Sequence, residues 1–364
     1  MHVPHGRETL GGARMPAQPP LSSRAWWKLR REFVSPSEFA DMFGVPPPLE
    51  LRPIDTVGSP QDRAIRLRME TPRSESIETV VLLPSGKRDR PTGRAIACVS
   101  SQPGCGVGCP FCATGQLGFR GNLPAAWIAE QVYWAGHIAR HHGRRLRNVV
   151  FMGMGEPLHN RAAVFSALDT LIDQRGGFGL APRHITVSTV GVPTAMVALA
   201  RRHPQVRQAL SLHAATPDLR RRLVPKGVGD LDLLRDAIAQ INDLQRCTVW
   251  LEIVLLADVN DRQEHIDALE RFCRGLRVEV NLIPYNPSAG LPRWQPTCRL
   301  RREAIAERLR TAGIRTTIRT SFGQSQRAAC GQLTAAAAGG GSDPEPERPS
   351  PRIAAVDANR RETS

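Results

Sequence analysis

A chain of 364 residues with 49 Lys and Arg against 34 Asp and Glu carries a formal net charge of +15. That charge points to a polyanionic partner, RNA first, although with only Lys28, Lys87 and Lys226 as lysines the arginine excess also fits a GC-rich coding sequence. A 41% hydrophobic content supports one large domain with appendages, and the longest apolar run, residues 249–259, is broken by Glu252 and falls far short of the roughly 20 residues that span a bilayer. The first 20 residues show no secretion signal, so a cytoplasmic protein is expected. Thiols there stay reduced, and 8 cysteines are then not primarily a disulfide framework.

Residues 1–24, rich in Pro, Gly and Arg, read as a disordered tail. Residues 25–75 read as a small helical module and linker: 25–45 has helical periodicity, Ser35 and Ser37 offer N-caps for a second helix, and 45–53 looks extended. From 76 to 334 strand-like runs (95–100, 148–152, 184–189, 208–212, 248–256, 279–284 and 315–318) alternate with amphipathic stretches such as 125–142, 161–174, 231–244 and 302–313. This alternation predicts an α/β fold with a parallel sheet and helical crossovers, and about 240 residues of it is a barrel's length. Ligands in such folds sit at the C-terminal ends of the strands. Residues 335–364 are low-complexity and read as a second disordered tail. No repeat of 20–50 residues is present beyond the alternation itself.

Cys105, Cys109 and Cys112 follow the first of the barrel strands within eight residues. A structural zinc would need a fourth ligand nearby and usually two CxxC-like knuckles, but the next cysteine is Cys247 and no histidine closely follows Cys112. Three thiolates on a 4Fe-4S cluster leave one iron without a protein ligand, and an open position marks a catalytic metal site. The amino and carboxylate groups of S-adenosylmethionine would fill it.

With Phe111 before the last cysteine, this CxxxCxxC loop resembles the radical-SAM superfamily. More narrowly, "ACVSSQPGCGVGCPFCATGQLGF" (residues 97–119) is similar to the RlmN/Cfr family of radical-SAM RNA adenine methyltransferases, over about residues 77–333. The resemblance implies a partial (β/α) barrel. It implies a 4Fe-4S cluster held by Cys105, Cys109 and Cys112, and S-adenosylmethionine contacted by Gly155 and Glu156 in "VVFMGMGEPLHN", by Ser188, by Ser211, Leu212 and His213 in "SLHA", and by Asn286 in "NLIPYNPSAG". Taken alone, each of these strand-end residues reads equally as a turn or solvated position.

The resemblance also sets two cysteines apart. Cys330 would take a methyl group from one S-adenosylmethionine, becoming S-methylcysteine; a radical generated from a second would activate that methyl to add to an adenine ring carbon. Cys98 would resolve the adduct through a transient disulfide with Cys330, and Glu78 would accept the ring proton. Cys247, Cys273 and Cys298 read instead as buried small hydrophobes. The implied partners are 23S rRNA or tRNA and an electron-donor protein, with no membrane, and the chain is expected to be a monomer. The stretch before Cys330, "TSFGQSQRAACGQL", lacks the "GDDID"-like acidic run of housekeeping members, "GFRGNL" is shifted from their pattern and the N-terminal module is short, so carbon 2 and carbon 8 of adenine both stay open. Two other readings stand beside this one: a radical-SAM enzyme acting on a peptide or small molecule, which would not need the Cys98 and Cys330 pair, and a zinc-dependent RNA-binding protein without catalysis.

Overall fold

The computed structural model describes residues 23–85, 93–227, 230–288, 291, 294–320, 323–324 and 327–334. Both tails expected to be disordered lie outside the described residues, apart from Ser23 and Arg24, which open the first helix.

Two short helices, α1 (Ser23–Arg31) and α2 (Pro36–Phe43), form the N-terminal module. Ser35 caps α2, as its sequence suggests: its Oγ accepts the Glu38 N–H at 3.1 Å and its own N–H donates to Glu38 Oε2 at 2.7 Å, a reciprocal capping box. Gly44 then ends the helix in the left-handed region at φ 69°. The connection between the helices lies against the barrel's first long helix, α4 below. Tyr133 donates to Val34 O at 2.7 Å, and a Cβ on Gly136 would sit 2.3 Å from the Phe33 ring, so only glycine allows this approach.

One ten-stranded sheet follows, its strands ordered as they occur in the chain. β1 (Arg52–Ser59), β2 (Ala64–Glu70), β3 (Ser76–Leu82) and β4 (Arg94–Cys98) form an antiparallel meander. β4 then opens a parallel run through β5 (Arg145–Phe151), β6 (Ile185–Thr189), β7 (Arg207–Ser211), β8 (Val249–Leu255), β9 (Val278–Pro284) and β10 (Arg315–Ile318). A short α3 (Ala113–Gln116) and α4 (Ala125–His141) connect β4 to β5. The remaining connections carry α5 (Arg161–Ile172), α6 (Pro193–Arg202), α7 (Pro217–Leu223), α8 (Leu231–Leu244), α9 (Gln263–Cys273) and α10 (Arg299–Thr311). The seven parallel strands match the seven expected from sequence, which is the partial (β/α) barrel. The segment expected to be a module and linker also contains β1 and β2, so the sheet runs through residue 75 without a break. The linker reading of 45–53 is corrected at its end, where Arg52 and Pro53 already belong to β1.

Register explains how a charged sequence folds this way. Residues paired across neighbouring strands share a face, and faces alternate along each strand. Ala97, Val149, Phe151, Ile185, Val187, Leu210, Leu251 and Leu282 occupy one face and are buried beneath the helices in a single apolar core; burial stabilises by roughly 1.5–3 kcal/mol per large side chain. The other face lines the lumen and is polar. Cys98, Val150 and Thr186 stand side by side on β4–β6, and Ser211, Glu252, Asn281 and Thr317 on β7–β10.

Candidate active site

The loop after β4 is fastened before it reaches its cysteines. Gln131 of α4 accepts the Ser100 N–H at 2.7 Å and donates to Ser100 O at 2.9 Å. Ser101 and Gln102 donate backbone N–H bonds to Met154 O, and Gln102 Oε1 accepts the Glu156 N–H at 2.9 Å. The glycines of the "GMGE" turn make this possible. A Cβ on Gly153 would meet the Val99 carbonyl at 2.7 Å, and Gly155, at φ 97°, lies where a Cβ would be 2.6 Å from Gln102.

Cys105, Cys109 and Cys112 then fold over the mouth of the barrel. The Cys112 N–H donates to Cys109 O at 3.1 Å, and a Cβ on Gly115 would lie 2.9 Å from that same carbonyl. Val107, Cys109 and Phe111 pack into a second apolar cluster with Leu219, Leu223, Val254 and Tyr285. Burial pushes all three thiols up, Cys105 to about 11. Cys109 is further opposed by Cys112, Cys105 and Glu156, so these groups share one small volume. Among the described residues no three His, Cys, Asp or Glu side chains converge tightly enough to chelate a single ion. Three thiolates beside a carboxylate in an apolar setting need a positive counterpart, and soft thiolate donors suit an iron–sulfur cluster. The residues present fit that group.

The strand ends supply the rest of the mouth. Glu156 is 2% exposed; Oε1 accepts the Leu158 N–H at 2.9 Å and Oε2 the Val190 N–H at 2.7 Å, while burial raises its carboxyl. Ser188 and Ser211 bring their hydroxyls within 3.3 Å of each other. Leu212 is buried in the apolar core. His213 sits at φ 57°, accepts the Val254 N–H on Nδ1 at 3.2 Å and meets Phe111 edge-on at 4.8 Å. Burial, then the nearby Arg220 guanidinium, push its imidazole down to about 3, so it is neutral, with the proton on Nε2.

The segment around Cys330 docks onto this loop. Ala113 N–H donates to Gly331 O at 2.7 Å, Thr114 Oγ1 to Leu333 O at 2.7 Å, and Asn286 Nδ2 to Cys330 O at 3.2 Å. Ala328 and Leu333 join Cys98, Val80 and Met154 in a small apolar cluster. The Cys330 thiol is accessible from solvent yet crowded by the mouth; burial pushes it up and the Arg319 guanidinium draws it back. Burial also raises Cys98, and Cys330 adds to the effect, which puts the two thiols within electrostatic reach of each other. Glu78, on the same face of β3 as Val80 and fully buried, pairs with Arg66 at 3.1 Å and accepts the Thr334 N–H at 3.0 Å.

Sequence reasoning missed Arg66 and Arg220. Arg220 is buried and donates to the carbonyls of Val190, Ser211 and Leu212, clamping the ends of β6 and β7. Nothing in the run Arg220, Arg221, Arg222 marks which of the three turns inward. Cys273 is buried as expected, but Cys247 is half-buried and Cys298 is exposed; Cys298 precedes α10 as its cap residue, outside the core.

Comparison with known proteins places this arrangement. Residues 99–270 match the radical SAM superfamily. A probable RNA methyltransferase of Rhodopirellula baltica is 40% identical over 86% of this chain and 83% of its own length. The dual-specificity RNA methyltransferase RlmN 1 of Myxococcus xanthus is 39% identical over 74% of this chain and 73% of its own. The crystal structure of a radical SAM methyltransferase from Sphaerobacter thermophilus superposes with a TM-score of 0.77 at 35% identity, over 86% of this chain and 92% of that one. Because the likeness runs through the barrel and well beyond the cysteine loop, this chain belongs to the RlmN/Cfr family of radical-SAM RNA methyltransferases.

Proposed function

We propose that the protein methylates a ring carbon of adenine in RNA, carbon 2 in first place and carbon 8 as the other candidate, with 23S rRNA or tRNA as substrate. In this reading Cys105, Cys109 and Cys112 hold a 4Fe-4S cluster, and Gly155, Glu156, Ser188, Ser211, Leu212, His213 and Asn286 surround S-adenosylmethionine, two molecules of which are used per turnover. Together these groups supply the methyl group and, on reduction by an electron-donor protein, a carbon radical. Cys330 is the thiol that accepts the methyl group, and the Arg319 charge favours its thiolate. Once the methyl carbon has joined the adenine ring, the RNA is covalently held through the Cys330 sulfur. Glu78 takes the ring proton, giving up its Thr334 contact to do so. The Cys98 thiolate then attacks the Cys330 sulfur, which releases the methylated RNA and leaves a Cys98–Cys330 disulfide for reduction.

The observation that carries this reading is the docking of the Cys330 segment on the cysteine loop through the Ala113–Gly331 and Thr114–Leu333 bonds, with Cys98 near the same thiol. A peptide-modifying radical enzyme has no need of that thiol pair. No described helix is long and apolar enough to cross a membrane, and a monomer working in the cytoplasm completes the proposal. The test is the Cys98→Ala variant, digested with ribonuclease and trypsin. A nucleotide adduct on the Cys330 peptide is expected, and its fragment identifies the RNA. An unmodified Cys330 in cluster-loaded protein would contradict the covalent scheme.

A further inference from the structure

The lumen holds a second carboxylate that the scheme above does not use. Glu252 of β8 is 3% exposed. Its Oε1 accepts the Asn281 Nδ2 bond at 3.0 Å, and Asn281 Oδ1 in turn accepts the Thr317 hydroxyl. These three residues are register partners on β8, β9 and β10, so the chain of bonds fixes the carboxyl's orientation. Its other oxygen, Oε2, has no hydrogen-bond partner among the described residues. A buried oxygen left so costs about 1–3 kcal/mol, and native structures hold few of them without a ligand, a water or a chemical role to account for them.

The surroundings say what would complete it. Trp250, two residues before Glu252 on the same face, lies 5.5 Å from the Arg319 guanidinium, which offers an aromatic and a planar cationic surface beside the carboxyl. The Glu252 charge reaches the Cys330 thiol, so whatever binds here lies next to the methyl-carrying sulfur. A carboxylate oxygen calls for a hydrogen-bond donor, and the flat neighbours call for a planar ring. We propose that Glu252, braced by Asn281 and Thr317, is a binding residue for the 6-amino group of an adenine ring held in the lumen beside Cys330. Held by that amine, the ring has carbons 2 and 8 free for reaction. The inference rests on the proposed RNA methylation for the ring's identity. Two sources share this chemistry, the target adenosine of the RNA and the adenine of S-adenosylmethionine.

The experiment compares Glu252→Gln with the unaltered protein, both cluster-loaded. The substitution keeps the Asn281 bond through its amide oxygen and turns an NH2 group toward the lumen, so the fold has no reason to fail; circular dichroism and iron content confirm that it has not. Binding of adenosine monophosphate is measured against purine riboside monophosphate, which lacks the amine. The unaltered protein should prefer the former by roughly 10- to 100-fold, as expected for a hydrogen bond to a charged group, and the variant should lose that preference. If methylated Cys330 is still found by mass spectrometry in the variant as isolated, the ring is the RNA's; if it is lost together with the preference, the ring is that of S-adenosylmethionine. An undiminished preference in the folded variant would overturn the assignment. Amine discrimination in a wild-type protein whose Cys330 never carries a methyl group would overturn the methylation scheme and leave Glu252's role standing.

Discussion

Replacing Arg66 by methionine removes the guanidinium 3.1 Å from Glu78 while nearly keeping its volume. Both side chains are almost wholly buried, at 4% and 0% exposure, so solvent does little to screen the pair. Breaking a buried pair from one side costs about 3–5 kcal/mol, because the remaining charge is left in a poor dielectric. The Thr334 N–H still donates to Glu78, so a loss near the lower end, about 3 kcal/mol, is expected. That is large beside the roughly 5–15 kcal/mol by which a domain is stable, and a melting scan should show it as a drop of several degrees. The control is Arg66→Met with Glu78→Gln: with both charges gone, most of the loss should return. A double variant no more stable than Arg66→Met alone would refute the reasoning, since the destabilisation would then come from packing and not from an uncompensated charge. Hydrogen exchange at the Thr334 amide reports the same event locally. It should speed up in the double variant, where a neutral amide oxygen replaces the carboxylate as acceptor and holds that N–H more weakly.

Two further outcomes follow from the site. Cys109→Ala should lose the iron and the brown colour of the anaerobically purified protein, and Cys330 should then carry no RNA adduct even in a Cys98→Ala background; iron retained at the wild-type level would argue against Cys109 as a ligand. His213 is neutral when folded, its imidazole held at about 3 against an ordinary 6.5, so the unfolded chain binds this proton first as pH falls. The stability it contributes is complete above about 6.5 and is lost progressively toward 3, amounting to a few kcal/mol. His213→Gln should therefore flatten the acid limb of a plot of melting temperature against pH between those values, and an unchanged limb would place the acid sensitivity elsewhere.

Much of the barrel is legible in the sequence because each parallel strand is a short apolar run between turn residues; β10 matches its expected bounds, and the other six lie within three residues of theirs at either end. β1 to β3 escaped because "AIRLRME" and "SIETVVL" carry charges at strand positions, and a single sequence does not say that the face holding Arg66 and Glu78 turns into a polar lumen. The same inversion hid Glu252: inside an apolar run it reads as the residue that interrupts a hydrophobic segment, when it is the one placed against the reacting thiol. The cysteine loop and the "GMGE" turn were legible for the opposite reason, since their spacing and glycines answer to steric demands that few other residues meet.

The bond from Thr114 to Leu333 spans 219 residues and that from Thr334 to Glu78 spans 256. On the ribosome, the cysteine loop therefore emerges well before the thiol that is to work beside it. At typical elongation rates of 5–20 residues per second the interval is roughly 10 to 40 s. A nascent chain in that interval could gather iron without possessing Cys330, and so could not transfer a methyl group to any RNA in its neighbourhood. Competence arrives only when the last segment closes over the mouth, which makes completion of synthesis itself a safeguard on a radical enzyme.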